Sequence, residues 1–288
     1  MNSDKSQIKL IECPRDAMQG WKTFIPTEKK IEYLNQLLKV GFDTIDFGSF
    51  VSHKAVPQMA DTKEVISKLS MANTKTKLLA IIANVRGAEE AAGFEKITYL
   101  GFPFSVSPTF QMRNANSTIE ESLQRVKEIK NICDRANKEL VVYISMAFGN
   151  PYGDLYNEEI VLEWIEKLAG EGIGIISLAD TVGLADPSQV SSLVNKVISQ
   201  FPDLETGVHL HSTNFNWKHK IDAALQNGCL RFDGALKGFG GCPFAEDELV
   251  GNMNTELMIP YFKQSGFLEN INEAELLKAS QMASEIFI

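Results

Sequence analysis

Two histidines separated by one residue, His209 and His211, stand at the end of an apolar run. On a strand such residues point to the same side, about 6.6 Å apart along it, so both imidazoles can reach one metal ion. Two polar rings satisfied at a strand end would show the same spacing, so the pair alone is a weak signal. Asp16 strengthens it with a hard oxygen donor if its segment shares a rim with the histidines, and Asn252 adds an amide oxygen. Two nitrogens and two oxygens with open positions suit an octahedral divalent cation such as Mn²⁺ or Mg²⁺; zinc and iron fit the donor types as well.

Arg15 adjoins Asp16. As a surface ion pair the two would be worth little, but beside a metal the guanidinium offers fixed donors to an oxygen gaining negative charge, as in an enolate. The run Gly238-Phe239-Gly240-Gly241-Cys242-Pro243 is a glycine-rich loop carrying a thiol. It reads equally as a reactive loop or as a tight turn whose cysteine is incidental. Cys13, Cys133 and Cys229 read as small buried hydrophobes, and His53 and His219 as structural or surface residues.

The elements that must carry these residues alternate. Eight short apolar runs read as strands: Ile8 to Cys13, Thr44 to Gly48, Lys77 to Ala83, Ile97 to Phe102, Leu140 to Ala147, Ile173 to Ala179, Glu205 to Leu210 and Arg231 to Leu236. Between them lie stretches with apolar residues three and four apart, such as Ile31, Leu34, Leu38 and Leu123, Val126, Ile129, Cys133. Helix starts are signalled by Thr27 before Glu28, by Ser117 three residues before Glu120, and by Asp186 before Pro187. Strand–helix alternation demands a mainly parallel sheet. An open doubly wound sheet would carry a glycine-rich phosphate turn after its first strand, where this chain has Cys13-Pro14-Arg15-Asp16. Eight units instead predict a single α/β domain over residues 1–288, a (β/α)8 TIM barrel with an extra C-terminal helix from Glu273. Such barrels place chemistry on the loops at the C-terminal ends of the strands, where Arg15, Asp16, Asp46, Asp180, Thr181, His209, His211 and Cys242 all fall.

The net charge of −9 and the lack of any Lys/Arg block argue against a nucleic-acid partner. No apolar run approaches the roughly 18 residues of a membrane span. The polar Met1 to Gln7 stretch lacks the pattern of a secretory signal, and the four cysteines form no CxxC pair or disulfide framework. A cytoplasmic protein with free thiols is expected.

Over nearly its whole length the chain resembles the 3-hydroxy-3-methylglutaryl-CoA (HMG-CoA) lyases, within the wider metal-dependent lyase and Claisen-synthase barrels. The matching stretches are Pro14-Arg15-Asp16 with Gln19; Ser49 to Ser52 with Val56 to Asp61; Asn84 with Arg86-Gly87; Ser117 to Arg125; Asp180 to Gly183; His209-Leu210-His211; Gly240 to Pro243; and Gly251-Asn252 with Thr255-Glu256. The resemblance implies metal-assisted retro-Claisen cleavage of HMG-CoA to acetyl-CoA and acetoacetate, chemistry of the leucine-catabolism and ketone-body type. It implies Mg²⁺ or Mn²⁺ on Asp16, His209, His211 and Asn252. It also implies Arg15 as enolate stabiliser, Asp46 as an orienting group and Cys242 on a loop that closes over substrate and aids proton transfer. Substrate contacts fall to Arg15, Gln19, Ser49, Asn114 and Thr181. The partner implied is a small acyl-CoA, and the assembly a homodimer. The hydroxyl proton goes to His209 or to Asp16; the residues alone leave both open.

Departures from the family pattern are local. Glu246 to Val250 is acidic and one residue longer than the usual small-residue stretch, and His53 and Ala55 replace a Pro and a Trp. Pro108, Gln111 and Met112 stand where an acidic residue and paired lysines are usual, and Asn150 stands at a frequent cysteine position. A synthase condensing acetyl-CoA with a 2-oxo acid would share the Arg-Asp and HxH features, but is expected to carry a Gly-Glu-Arg type loop where this chain has Gly-Gly-Cys-Pro. A lyase for a related 3-hydroxyacyl-CoA and a non-catalytic barrel are the remaining alternatives, the last disfavoured because Arg15, Asp16 and Cys242 are kept together.

Overall fold

In the computed structural model, which describes residues 7–240 and 251–287, the eight short apolar runs become strands and two further short strands join them. These are β1 Lys9–Glu12, β2 Thr44–Phe50, β3 Lys77–Ile82, β4 Ile97–Ser105, β5 Glu139–Ser145, β6 Ile175–Ala179, β7 Glu205–His209, β8 His211–Ser212, β9 Arg231–Gly234 and β10 Gly251–Asn252. The helices are α1 Pro14–Gln19, α2 Thr27–Leu37, α3 Thr62–Lys68, α4 Val85–Ala92, α5 Pro108–Ala115, α6 Ile119–Arg135, α7 Glu158–Gly170, α8 Pro187–Gln200, α9 Trp217–Gln226, α10 Thr255–Gln264 and α11 Glu273–Ile286. Eight strands, in the order β1-β2-β3-β4-β5-β6-β7-β9, close into a parallel barrel, as the alternation predicted. Closure is made by β9 on β1, from Lys9 opposite Arg231 to Glu12 opposite Gly234. The helix expected at Glu273 is α11.

The barrel positions side chains by the period of two. Along β3 to β6, Leu78, Ala80, Leu100, Val142 and Ile176 face the helices, while Leu79, Tyr99, Val141, Tyr143 and Ile175 pack together in the lumen. The same alternation turns Arg231 and Asp233 of β9 inward. Gly207 makes room for the first: a Cβ there would lie 2.8 Å from Cδ of Arg231.

Strand ends differ from the sequence expectation where the backbone changes hand. β5 stops at Ser145 rather than Ala147 because Met146 adopts φ 60°. β9 stops at Gly234 rather than Leu236 because Leu236–Gly238 forms a 3₁₀ turn around Lys237 at φ 64°. The cap of α6 is Thr118, in a capping box with Glu121, one residue beyond the Ser117/Glu120 pair read from the sequence. Ser117 is buried and instead accepts a hydrogen bond from the Gln111 side chain. Asp186 caps α8 ahead of Pro187 as expected, with Gln189 completing its box. The element that periodicity missed is the ribbon of β8 and β10, antiparallel, with Asn252 opposite His211 and Gly251 opposite Ser212.

Candidate active site

The turn out of β1 is set by Pro14, which begins α1 with its φ already helical. The short helix then presents Arg15, Asp16 and Gln19, the first and last one turn apart on one face. Arg15 donates through Nε and Nη2 to Oδ2 of Asp46 at 2.9 and 2.6 Å, and through Nη1 to Asp16 at 2.9 Å and Gln19 at 2.8 Å. Gln19 in turn donates to Oδ1 of Asp16 at 3.1 Å. Arg15, Asp16 and Asp46 are all buried.

Across the mouth, β7 ends on His209 and β8 begins on His211, their rings 5.5 Å apart and nearly perpendicular. Each is held through Nδ1: His209 against Oδ2 of Asp233 at 3.0 Å, His211 against the backbone carbonyl of Asp180 at 2.7 Å. Both Nε2 atoms are thereby left to point elsewhere, and that of His211 is buried with no hydrogen-bond partner among the described residues. One donor atom from each of Asp16, His209 and His211 falls within 4.8 Å of the others. Asn252 arrives from β10, its Nδ2 donating to Oδ2 of Asp16 at 2.8 Å and to the Phe239 carbonyl at 2.9 Å, which leaves Oδ1 as the atom it has to offer. Gly240 passes directly over this pair: a Cβ there would lie 2.6 Å from Nδ2 of Asn252 and 3.0 Å from the Asp16 carbonyl. An orphaned imidazole nitrogen, a second imidazole oriented by a carboxylate and a carboxylate oxygen fit a divalent cation.

The electrostatics suit that use. Burial alone would raise the Asp16 carboxyl, but Arg15, His209, the Asn252 amide and His211 outweigh it and hold it down at about 2. Burial would lower His209, but Asp233, by hydrogen bond and charge, and Asp16 raise it above its ordinary value. Burial and the neighbouring His209 lower His211, keeping its ring neutral and able to ligate. Burial lifts Asp46 to about 6 against the pull of Arg15, so the two form an ion pair at neutral pH.

The structure thus brings together Arg15, Asp16, Gln19, Asp46, His209, His211 and Asn252. Ser49 sits buried on β2 with a hydroxyl that makes no hydrogen bond to the described residues. Thr181 lies on the rim, where its hydroxyl accepts from the Met146 N–H at 2.8 Å and ties the ends of β5 and β6. Asn114 is exposed on α5 and no described contact joins it to the cluster. Cys242 and the Glu246 to Val250 stretch lie outside the described residues. Cys13, Cys133 and Cys229 are buried free thiols, and His53 and His219 are exposed, as expected. The unusual rim residues serve the scaffold: Gln111 accepts from the Ser105 N–H, and Asn150 closes its own loop onto Tyr152 and Asp154. Sequence reasoning missed Asp233 as the partner of His209. The period of two puts Asp233 on the same face of β9 as Arg231, but that this face is inward and meets His209 follows only from closure and register.

A profile of the HMGL-like family matches residues 7–283. The chain is 33% identical over 274 residues to a hydroxymethylglutaryl-CoA lyase of Bacillus subtilis, covering 94% of this chain and 90% of the relative. It is also 33% identical over 282 residues to the mitochondrial hydroxymethylglutaryl-CoA lyase of Mus musculus, covering 97% and 85%. Among solved structures, an HMG-CoA lyase from Acinetobacter baumannii in complex with coenzyme A and 3-methylmalate superposes with a TM-score of 0.91 at 31% identity, covering 100% of this chain and 93% of that one. The Bacillus subtilis HMG-CoA lyase gives 0.90 at 32% identity, covering 97% and 93%.

Proposed function

Because the chain belongs to the HMGL-like family, we infer that it is a carbon–carbon lyase cleaving 3-hydroxy-3-methylglutaryl-CoA to acetyl-CoA and acetoacetate. The observation that carries this reading is the convergence of Asp16, His209 and His211 beside the Arg15–Asp46 ion pair at one barrel mouth, in a chain similar to HMG-CoA lyases from end to end. We propose Mg²⁺ or Mn²⁺ as the cation, held by Asp16, His209, His211 and Asn252.

The cleavage removes the C3 hydroxyl proton, breaks the C2–C3 bond, leaves the electron pair on the thioester enolate and returns a proton to C2. A divalent cation bound at the cluster supplies Lewis acidity to the substrate oxygens. Arg15 makes four hydrogen bonds with its five N–H groups, and the one left on Nη2 is offered to the enolate oxygen. Asp46 accepts two hydrogen bonds from that guanidinium, and these support its assignment as an orienting group. The hydroxyl proton is assigned to the His209/Asp16 pair without a choice between them: Asp16 is held at about 2, and His209, with Nδ1 on Asp233, has only the Nε2 lone pair that the cation would take. Cys242 is assigned the proton delivered to C2. Gln19, Ser49, Thr181 and Asn114 are assigned to substrate contacts, the unpaired hydroxyl of Ser49 supporting its own part.

The reading carries with it a cytoplasmic location, a place in leucine catabolism and a homodimer. Among the described residues no helix is long and apolar enough to cross a membrane. The test is purified protein with HMG-CoA and Mg²⁺ or Mn²⁺, against a chelator control, with acetoacetate and acetyl-CoA followed by mass spectrometry. Both products are expected, and only with metal; folded, metal-supplied protein that forms neither overturns the assignment.

A further inference from the structure

Lysine is among the residue types least often buried without a partner, because its ammonium loses hydration that only charge and hydrogen bonds can replace. Lys220 is 1% exposed. It lies on the inward face of α9 beside Ile221 and Ala224, in a helix whose packing otherwise needs only apolar residues. Its Nζ donates to Oδ2 of Asp180 and to the backbone carbonyl of His211, each at 2.8 Å.

Asp180 is gripped from every side. Its other carboxylate oxygen accepts from the Ala185 N–H at 3.0 Å, its own N–H donates to the His209 carbonyl at 2.9 Å, and its carbonyl accepts from Nδ1 of His211 at 2.7 Å. The contacts close a circuit. The His211 ring rests on the Asp180 backbone, the Asp180 carboxylate rests on Lys220, and Lys220 returns to the His211 backbone. Three elements, β6 through its end, β8 and α9, are tied at one imidazole. The circuit requires hydrogen on Nδ1 and so leaves the lone pair on Nε2, the buried nitrogen that has no partner among the described residues.

We propose that Lys220 is a positioning residue for the metal centre: by bridging the Asp180 carboxylate and the His211 carbonyl it sets the tautomer and direction of the His211 ring and so raises affinity for the divalent cation. This rests on the reading of Asp16, His209 and His211 as the cation site.

The experiment measures Mn²⁺ affinity by electron paramagnetic resonance and titration calorimetry, with the thermal unfolding midpoint followed by circular dichroism. Lys220→Met keeps the stem but leaves Asp180 as a buried unpaired charge, so a second variant, Lys220→Met with Asp180→Asn, removes both charges and keeps the carbonyl on which His211 rests. The expected result is a Mn²⁺ dissociation constant raised about 10- to 100-fold in the folded double variant, the range for loss of an outer-shell partner. Folded variants that bind Mn²⁺ as the wild type does, whatever their midpoint, overturn the role of Lys220 and leave the cation site standing. A wild type that binds no Mn²⁺ overturns the site, and Lys220's role with it.

Discussion

Asn252 donates to Asp16 across 2.8 Å although 236 residues separate them. The contact needs two tertiary events at once: closure of the barrel, which brings the end of β1 round to β9 and hence near β7, and pairing of the β8–β10 ribbon, which sets Asn252 opposite His211. Closure sets the Asp16 carboxylate beside His209, and the ribbon sets the Asn252 amide beside His211.

Arg15→Lys keeps the charge but not the fork that reaches Asp46 through Nε and Nη2 while Nη1 serves Asp16 and Gln19. The substitution should lower kcat for HMG-CoA by at least about 100-fold, the scale for losing one fixed donor to a developing oxyanion. Steady-state kinetics at saturating Mg²⁺ measure this, and a Lys variant as fast as the wild type would remove Arg15 from the enolate.

His211→Ala and Cys242→Ser should separate binding from chemistry. The first removes a ligating nitrogen and should weaken Mn²⁺ binding more than the roughly 10- to 100-fold of an outer-shell change. The second should leave Mn²⁺ affinity close to wild type while kcat falls by about 100-fold or more, as for loss of a positioned proton donor. Metal content and turnover measured on the same preparations decide both; full activity in Cys242→Ser contradicts the thiol assignment.

Gly240→Ala puts a methyl group 2.6 Å from Nδ2 of Asn252, on a backbone at φ 99° that side chains rarely adopt. The chain must move away, and with it the Phe239 carbonyl that fixes the Asn252 amide. Weaker Mn²⁺ binding and lower turnover are expected together, with the unfolding midpoint changed by no more than a few degrees. Titration of the variant with Mn²⁺ tests this, and unaltered affinity would show that Gly240 does not bear on the ligand.

Glu12→Gln addresses stability. Glu12 is fully buried, accepting from the Leu236 N–H at 2.8 Å and the Thr255 hydroxyl at 2.6 Å. Burial lifts its carboxyl to about 8, against those two hydrogen bonds and with a small push from Glu256. The folded protein therefore holds a proton that the unfolded chain releases above about 4.5. The contribution of Glu12 to stability is full below that value, declines as pH rises toward about 8 and is level beyond it. Glutamine, with Oε1 toward Leu236 and Nε2 toward Thr255, should remove that decline. Urea denaturation at pH 5, 6.5 and 8 should show the wild type losing more stability than Glu12→Gln; parallel losses would place the titration elsewhere.

Eight apolar runs, the helical spacings between them, the Asp186-Pro187 helix start and the alternation of strand with helix are properties of neighbouring residues, so the barrel was legible along the chain. The same holds for His209 and His211, whose shared direction follows from the pleat, and for the reactive types that gather where strands end. What stayed out of reach depends on register and closure. Asp233 meets His209 because β7 and β9 pair with Val208 opposite Phe232, and nothing within either segment states that register. Lys220 reads as one more helix lysine until the packing of α9 pushes it against Asp180 and His211. Asn114, a substrate contact by resemblance, turns out on an exposed helix face. Residue types and local periods determine which chemistry the chain can perform and on which fold. Which nitrogen of each histidine is free, and which charge stands behind it, is decided only when segments far apart in sequence are held at hydrogen-bond distance, because a bond of that kind tolerates a few tenths of an ångström and no local rule reaches so far.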